Sequence, residues 1–238
     1  MKDWIPIIVM CFFGIACETI PNPQIIIDQA IEAHGGYHYD PHTLSFGFRN
    51  KQYSTERSGG SYTYSRSFSD STGQITDVLT NDGFTRMLNN KEVELDGEWK
   101  SRYSASVNSV IYFAMLPYGL NDPAVQKKFL RTESIKDVSY DLVEVTFQEE
   151  GGGEDFQDVF YYWINKADHT LDYLAYSYDE SDGKGIRFRE AINPRVVNGI
   201  RMQDYVNYKP QEIVPMDELK HLFEKGKLKE LSRIELVF

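Results

Sequence analysis

The chain has 238 residues, a formal net charge of -11 and an aromatic content of 14%. That acidic balance excludes a general nucleic-acid binder, because phosphates attract clustered Lys and Arg. The length allows a single domain with a sizeable core, and the wealth of Tyr and Phe favours pleated, half-buried surfaces over a helical bundle.

Residues 1–16 have the pattern of a secretory signal: Lys2 near the start, then an apolar run from Trp4 to Ala16 broken only by Pro6. The run is too short to span a bilayer, which takes about 20 residues. Gly14-Ile15-Ala16-Cys17 resembles a bacterial lipobox, so Cys17 is the predicted lipidation site and the first residue after cleavage. Palmitate-type acyl chains on Cys17 would anchor the protein to a membrane, since each buried methylene contributes about 0.8 kcal/mol. The alternatives are an ordinary cleaved signal and a cytosolic chain. Cys11 lies inside the leader, which leaves the mature chain no cysteine pair for a disulfide.

Residues 17–24, with Pro21 and Pro23, read as a tether, and residues 25–238 as one domain. Ile26, Ile27, Ala30, Ile31 and Ala33 recur at helical spacing from about Ile25 to His34, and Gly35-Gly36 ends that helix. Alternation in Leu44-Phe46-Phe48 and Tyr62-Tyr64-Arg66-Phe68 predicts strands, and turn residues at 58–60, 71–73, 81–83 and 89–90 space them as hairpins. A second helix is expected over about Ala105 to Leu116, and it stops at Pro117-Tyr118-Gly119. Strands return at 130–135, 141–148, 158–165, 171–178, 186–193 and 200–208. A short helix at Met216–Phe223 and a closing strand at Arg233–Phe238 complete the chain. The expected fold is α+β: a strongly curved antiparallel half-barrel of about eleven strands around two or three helices. The continuously apolar run Val159–Ile164 predicts a strand covered on both faces.

Chemical motifs are sparse. His34, His38 and His42 have metal-like spacing, but Gly35-Gly36 and Pro41 interrupt any helix that would align them, so no metal is assigned. Asp179–Gly183 lacks the ligand spacing of a calcium loop and reads as a hairpin turn, as do the acidic residues of 149–155. No GxSxG elbow is present, no cofactor is implied, and the expectation is a non-enzyme; His169 and His221 have no recognisable catalytic partner. The densest polar cluster is GIRFREAINPR (185–195) with GIRMQDY (199–205). Arg187 and Arg189 share one strand face, Phe188 and Glu190 the other, and Arg201, Gln203 and Tyr205 share a face of the neighbouring strand. Such arginines either join a cross-strand charge ladder or meet an anionic headgroup.

The segments AIEAHGG (30–36), LSFGFR (44–49), YWINKADHTLDYLAYSY (162–178), GIRFREAINPR and GIRMQDYVNY (199–208) resemble a family of uncharacterised lipoproteins from Bacteroidota-type bacteria. That family is similar in architecture to the LolA/LolB and LppX group of lipoprotein carriers. The resemblance implies a curved sheet wrapped around helices with an apolar cavity for acyl chains. The lipobox favours a membrane-fixed binder over a shuttle. It also implies an outer-membrane location, on the periplasmic face or, with Glu18 after the lipidated cysteine, at the cell surface. Expected ligand contacts are Phe46, Phe48, Tyr62, Tyr64, Tyr161 and Trp163 for apolar surface and Arg187, Arg189 and Arg201 for a headgroup. The competing expectations are an envelope interaction module with a filled core, whose protein partner is unknown, and a hydrolase with an unrecognised site.

Overall fold

A computed structural model describes residues 20–150, 156–180 and 183–238. The expected leader, Cys17 and parts of the two acidic turns lie outside the described residues.

Helix α1 (Pro23–His34) begins inside the segment expected to be a tether. The reason is local: the Asn22 side chain accepts from the Gln24 N–H, and Pro23 occupies the first helical turn, where its missing N–H costs nothing. Ile26, Ile27 and Ala30 bury one face. The helix ends at Gly35, whose φ of 149° lies outside the usual range of L-residues. A side chain there would also meet the backbone of Gly199 and Ile200 at 3.1–3.2 Å.

Six strands follow as a meander: β1 (His42–Phe48), β2 (Lys51–Ser58), β3 (Ser61–Asp70), β4 (Gly73–Thr80), β5 (Gly83–Leu88) and β6 (Lys91–Glu92). Tight two-residue turns set each register. Gly59-Gly60 and Asn89-Asn90 both take positive φ, as the favoured hairpin turns require. Helix α2 (Gly97–Ala114) then crosses to a second sheet of β7 (Val125–Ile135), β8 (Val138–Phe147), β9 (Val159–Asn165), β10 (Leu171–Glu180), β11 (Gly183–Val197), β12 (Ile200–Lys209) and β13 (Lys229–Ile234), again in antiparallel sequence order. Helix α3 (Leu219–Glu224) lies between β12 and β13.

The architecture is α+β, with antiparallel sheets around helices, but the described residues form two sheets totalling thirteen strands, not one of about eleven. Residues Gly47 and Val237 link them through paired backbone hydrogen bonds of 2.6 and 2.9 Å. The expected closing strand is corrected accordingly: β13 ends at Ile234, and only Val237 beyond it pairs, with β1.

Helix α2 packs against both sheets. Val107 and Ile111 join Leu44, Phe46 and Phe84 of the first sheet, while Tyr112 and Phe113 pack with Phe160, Tyr162 and Leu174 of the second. On the far face of the second sheet, Tyr161, Trp163, Tyr173 and Phe188 are covered by Leu219 and Phe223 of α3 and by Leu228. This double cover explains the unbroken apolar run in β9.

Candidate ligand cavity

The concave face of the first sheet is built from rows of opposed residues. One row is Tyr53, Arg66, Asp77 and Arg86 on β2 to β5. Asp77 is fully buried and accepts from Arg66 Nε at 2.9 Å and from Arg86 Nε at 2.6 Å. Arg66 also donates to Ser106 Oγ of α2 at 2.7 Å, and the Arg86 guanidinium lies 3.4 Å from the Tyr103 ring centroid. One carboxylate thus holds two guanidinium groups, and each of these reaches α2. The row fastens the helix over the sheet.

The other side of α2 is not filled. Ser101, Ser104, Ala105, Asn108, Ser109 and Tyr112 fall on one stripe of the helix, and all line a cavity of about 520 Å³. Its far wall comes from the second sheet, with Phe147, Phe160, Tyr176 and Tyr178, and its near wall includes Tyr62 and Leu79. A second cavity of about 300 Å³ shares Ser109, Phe113 and Tyr176 with the first and runs on to Phe48, Arg189, Gln203, Tyr205, Asn207 and Ile234. A third, of about 180 Å³, shares Asn108, Tyr112 and Phe147 with the large one and reaches Arg57, Tyr64 and Tyr118.

Burial keeps three phenols beside this space, Tyr112, Tyr162 and Tyr205, protonated. Burial raises Tyr112 and Tyr162 well above the usual range, and their hydroxyls face each other at 3.5 Å. Burial also pushes Tyr205 up to about 12. The walls therefore present aromatic faces and a few hydroxyls, a lining suited to acyl chains with a small number of polar anchors.

The expected contacts divide sharply. Phe48, Tyr62, Tyr64 and Arg189 line these cavities. Phe46 is on the concave face but is fully packed, its ring stacked on Tyr53 at 5.6 Å. Tyr161 and Trp163 are corrected: they point to the opposite face, beneath α3, where Trp163 Nε1 donates to Glu133 at 2.7 Å. Arg187 does share the inner face with Arg189, but its guanidinium bonds the Ile186 carbonyl and stacks on Tyr178. Arg201 stands near His34 and away from the three cavities. Among the described residues, none of Arg187, Arg189 and Arg201 joins the charge ladder, which instead pairs Arg195 with Asp204 at 2.8 Å.

His34 and His42 serve the packed interior. His34 is buried and its Nε2 accepts from the Leu171 N–H at 3.0 Å. Burial, aided by the Arg201 charge, holds it down to about 3. His42 donates from Nδ1 to the Tyr39 carbonyl, which leaves Nε2 to accept from the Thr55 hydroxyl at 3.0 Å. Among the described residues, no three His, Cys, Asp or Glu side chains converge as metal ligands.

Sequence reasoning missed Tyr112, Phe113, Tyr176, Gln203 and Asn207 as cavity residues. Tyr176 and Asn207 were legible by parity: Tyr176 lies opposite Arg187, and Asn207 opposite Arg189. Ser101 and Ser104 of α2 were missed because the helix starts at Gly97, earlier than apolar spacing alone indicates. Asp96 caps it, accepting from the Trp99 N–H at 2.8 Å.

Fold and site together define an α+β protein whose two antiparallel sheets hold a helix against one wall and leave aromatic-lined space at the other. Residues 4–236 match the model of a family of unknown function, DUF6503, and the chain belongs to that family. A LolA superfamily protein from Nitrosomonas europaea is similar in structure at a TM-score of 0.49 and 12% identity, over 79% of this chain and 85% of that one. A putative outer membrane lipoprotein-sorting protein domain from Vibrio parahaemolyticus is similar at a TM-score of 0.34 and 9% identity, over 85% of this chain and 100% of that one. No curated protein matches the sequence. Among the described residues no helix is long and apolar enough to cross a membrane.

Proposed function

We propose that the protein holds an acyl-containing ligand between α2 and the second sheet and does so as a non-enzymatic, lipid-anchored component of the outer membrane. Residues 25–238 act as one domain on a short tether from acylated Cys17. The observation that carries the binding reading is the stripe of small residues on α2 facing Phe147, Phe160 and Tyr176 across about 520 Å³. That volume lies within the usual range for ligand sites, about 300–1,000 Å³. An interaction module with a filled core would present large apolar side chains along that stripe.

The anchoring reading rests on Gly14-Ile15-Ala16-Cys17 and on the early charge and apolar run of the leader. Ser109 borders both main cavities, so Ser109→Trp tests the binding reading. A naphthylamine probe that brightens in apolar sites should bind the wild-type protein and be displaced by methyl palmitate, and the variant should lose most of that signal while keeping its circular dichroism. Failure of the wild-type protein to bind either probe or ester would end the reading.

A further inference from the structure

We infer that the second cavity, of about 300 Å³, is a headgroup subsite, selecting acyl ligands that carry an oxyanion. The inference rests on the acyl-binding reading above and deepens it.

One row of opposed residues crosses the inner face of the second sheet: Val143, Tyr162, Leu174, Arg189, Asn207 and Ser232. Its first half is fully buried and built from apolar contacts. At Arg189 it turns polar, although the flanking inner-face residues Tyr205 and Ile234 continue the apolar surface. A packed interior has no use for that change, and such local conflicts concentrate at functional sites.

Arg189 is 8% exposed, and among the described residues no carboxylate pairs with it. Its Nη2 donates to the Tyr176 hydroxyl at 2.6 Å, its guanidinium lies 4.1 Å from the Phe113 ring centroid, and its Nε has no hydrogen-bond partner among the described residues. Buried charges are ordinarily paired, because removing one from water is costly. The same cavity is lined by Gln203 and Asn207, each buried and each with an amide oxygen that lacks a partner among the described residues. The site therefore supplies a cation with a free N–H, and beside it two acceptors that suit a hydroxyl or N–H on the ligand. An oxyanion completes the guanidinium, and its chain can continue past Phe113 and Tyr176 into the larger cavity, which shares both residues. Carboxylate and phosphate have the required chemistry in common.

Binding is measured with the full chain at about pH 7.5, where a carboxyl group is ionised, for palmitate, for a single-chain acylglycerol phosphate and for methyl palmitate. At least one of the two anions should bind about tenfold or more tightly than the ester, the factor one hydrogen bond to a charged group supplies. Whichever anion is tighter identifies the source. Arg189→Met should shrink that preference to less than about threefold. If both anions bind no better than the ester, or if Arg189→Met keeps the full preference, the subsite is refuted while the acyl-binding reading stands. If neither ester nor anion binds, both fall. Should Arg189→Met not fold, the anion-to-ester ratio of the wild-type protein decides alone.

Discussion

Acidification should destabilise the protein through His34. Its imidazole is fully buried, accepts the Leu171 N–H and is held down to about 3 by burial and the Arg201 charge, against an ordinary 6.5. Between those two values the unfolded chain binds a proton that the folded chain refuses, so stability is complete above 6.5 and declines as pH falls toward 3. Each pH unit below the unfolded value costs about 1.4 kcal/mol, which makes the loss about 2 kcal/mol between pH 7 and pH 5. Burial depresses His42 as well, with the same sign, so the two must be separated. The His34→Gln variant does that, since an amide oxygen can still accept from Leu171 and does not titrate. Urea unfolding followed by circular dichroism at about pH 7, 6 and 5 should show the variant less stable at pH 7 but flatter with pH, by about 2 kcal/mol over the range. If the variant loses as much stability as the wild-type protein between those pH values, His34 is not the group that resists protonation.

Asp77→Asn leaves two guanidinium groups, on Arg66 and Arg86, around a neutral amide in a buried row. The expected cost is about 3–5 kcal/mol in urea unfolding, the usual penalty for breaking a buried ion pair from one side; a loss below about 1 kcal/mol would show that the row does not fasten α2. Cys17→Ser in a bacterial host should abolish incorporation of labelled palmitate and release the protein from the membrane fraction. Persistent labelling would place acylation elsewhere.

Periodicity located most elements because burial imposes it. In β3 the alternating Tyr62, Tyr64, Arg66 and Phe68 do face inward together, opposite Leu79, Asp77 and Ile75 of β4. The Arg66–Asp77–Arg86 row was readable in principle. The turns at Asp70–Gly73 and Thr80–Gly83 set the registers that place the three residues in line. Faces could not be assigned in Val159–Ile164, where every residue is apolar and alternation carries no information. There Phe160, Tyr162 and Ile164 face inward, and Tyr161 and Trp163 pack under α3. For Arg187 and Arg189 the intervening Phe188 fixed the parity, and the inner-face placement follows. What parity could not reveal is that Arg189 meets α2, because contact with Phe113 depends on a helix more than 70 residues away in sequence.

The composition of α2 is the strongest link between this sequence and its cavity. A helix enclosed by two sheets ordinarily carries apolar residues on both buried sides. Here Val107, Ile111 and Tyr103 satisfy the first sheet, while the stripe toward the second offers Ser101, Ser104, Ala105, Asn108 and Ser109. Small side chains withhold the volume needed to close against Phe147 and Phe160, and the Asp77 row keeps the helix from sliding across to fill it. Tyr112 and Phe113, one turn further on, are the first large residues of that stripe to reach the second sheet, and Phe113 meets the Arg189 guanidinium. The void is therefore a consequence of which residues α2 lacks on one face and of the buried ion pairs that pin its other face, so enlarging the stripe should close the cavity with little effect on the sheets.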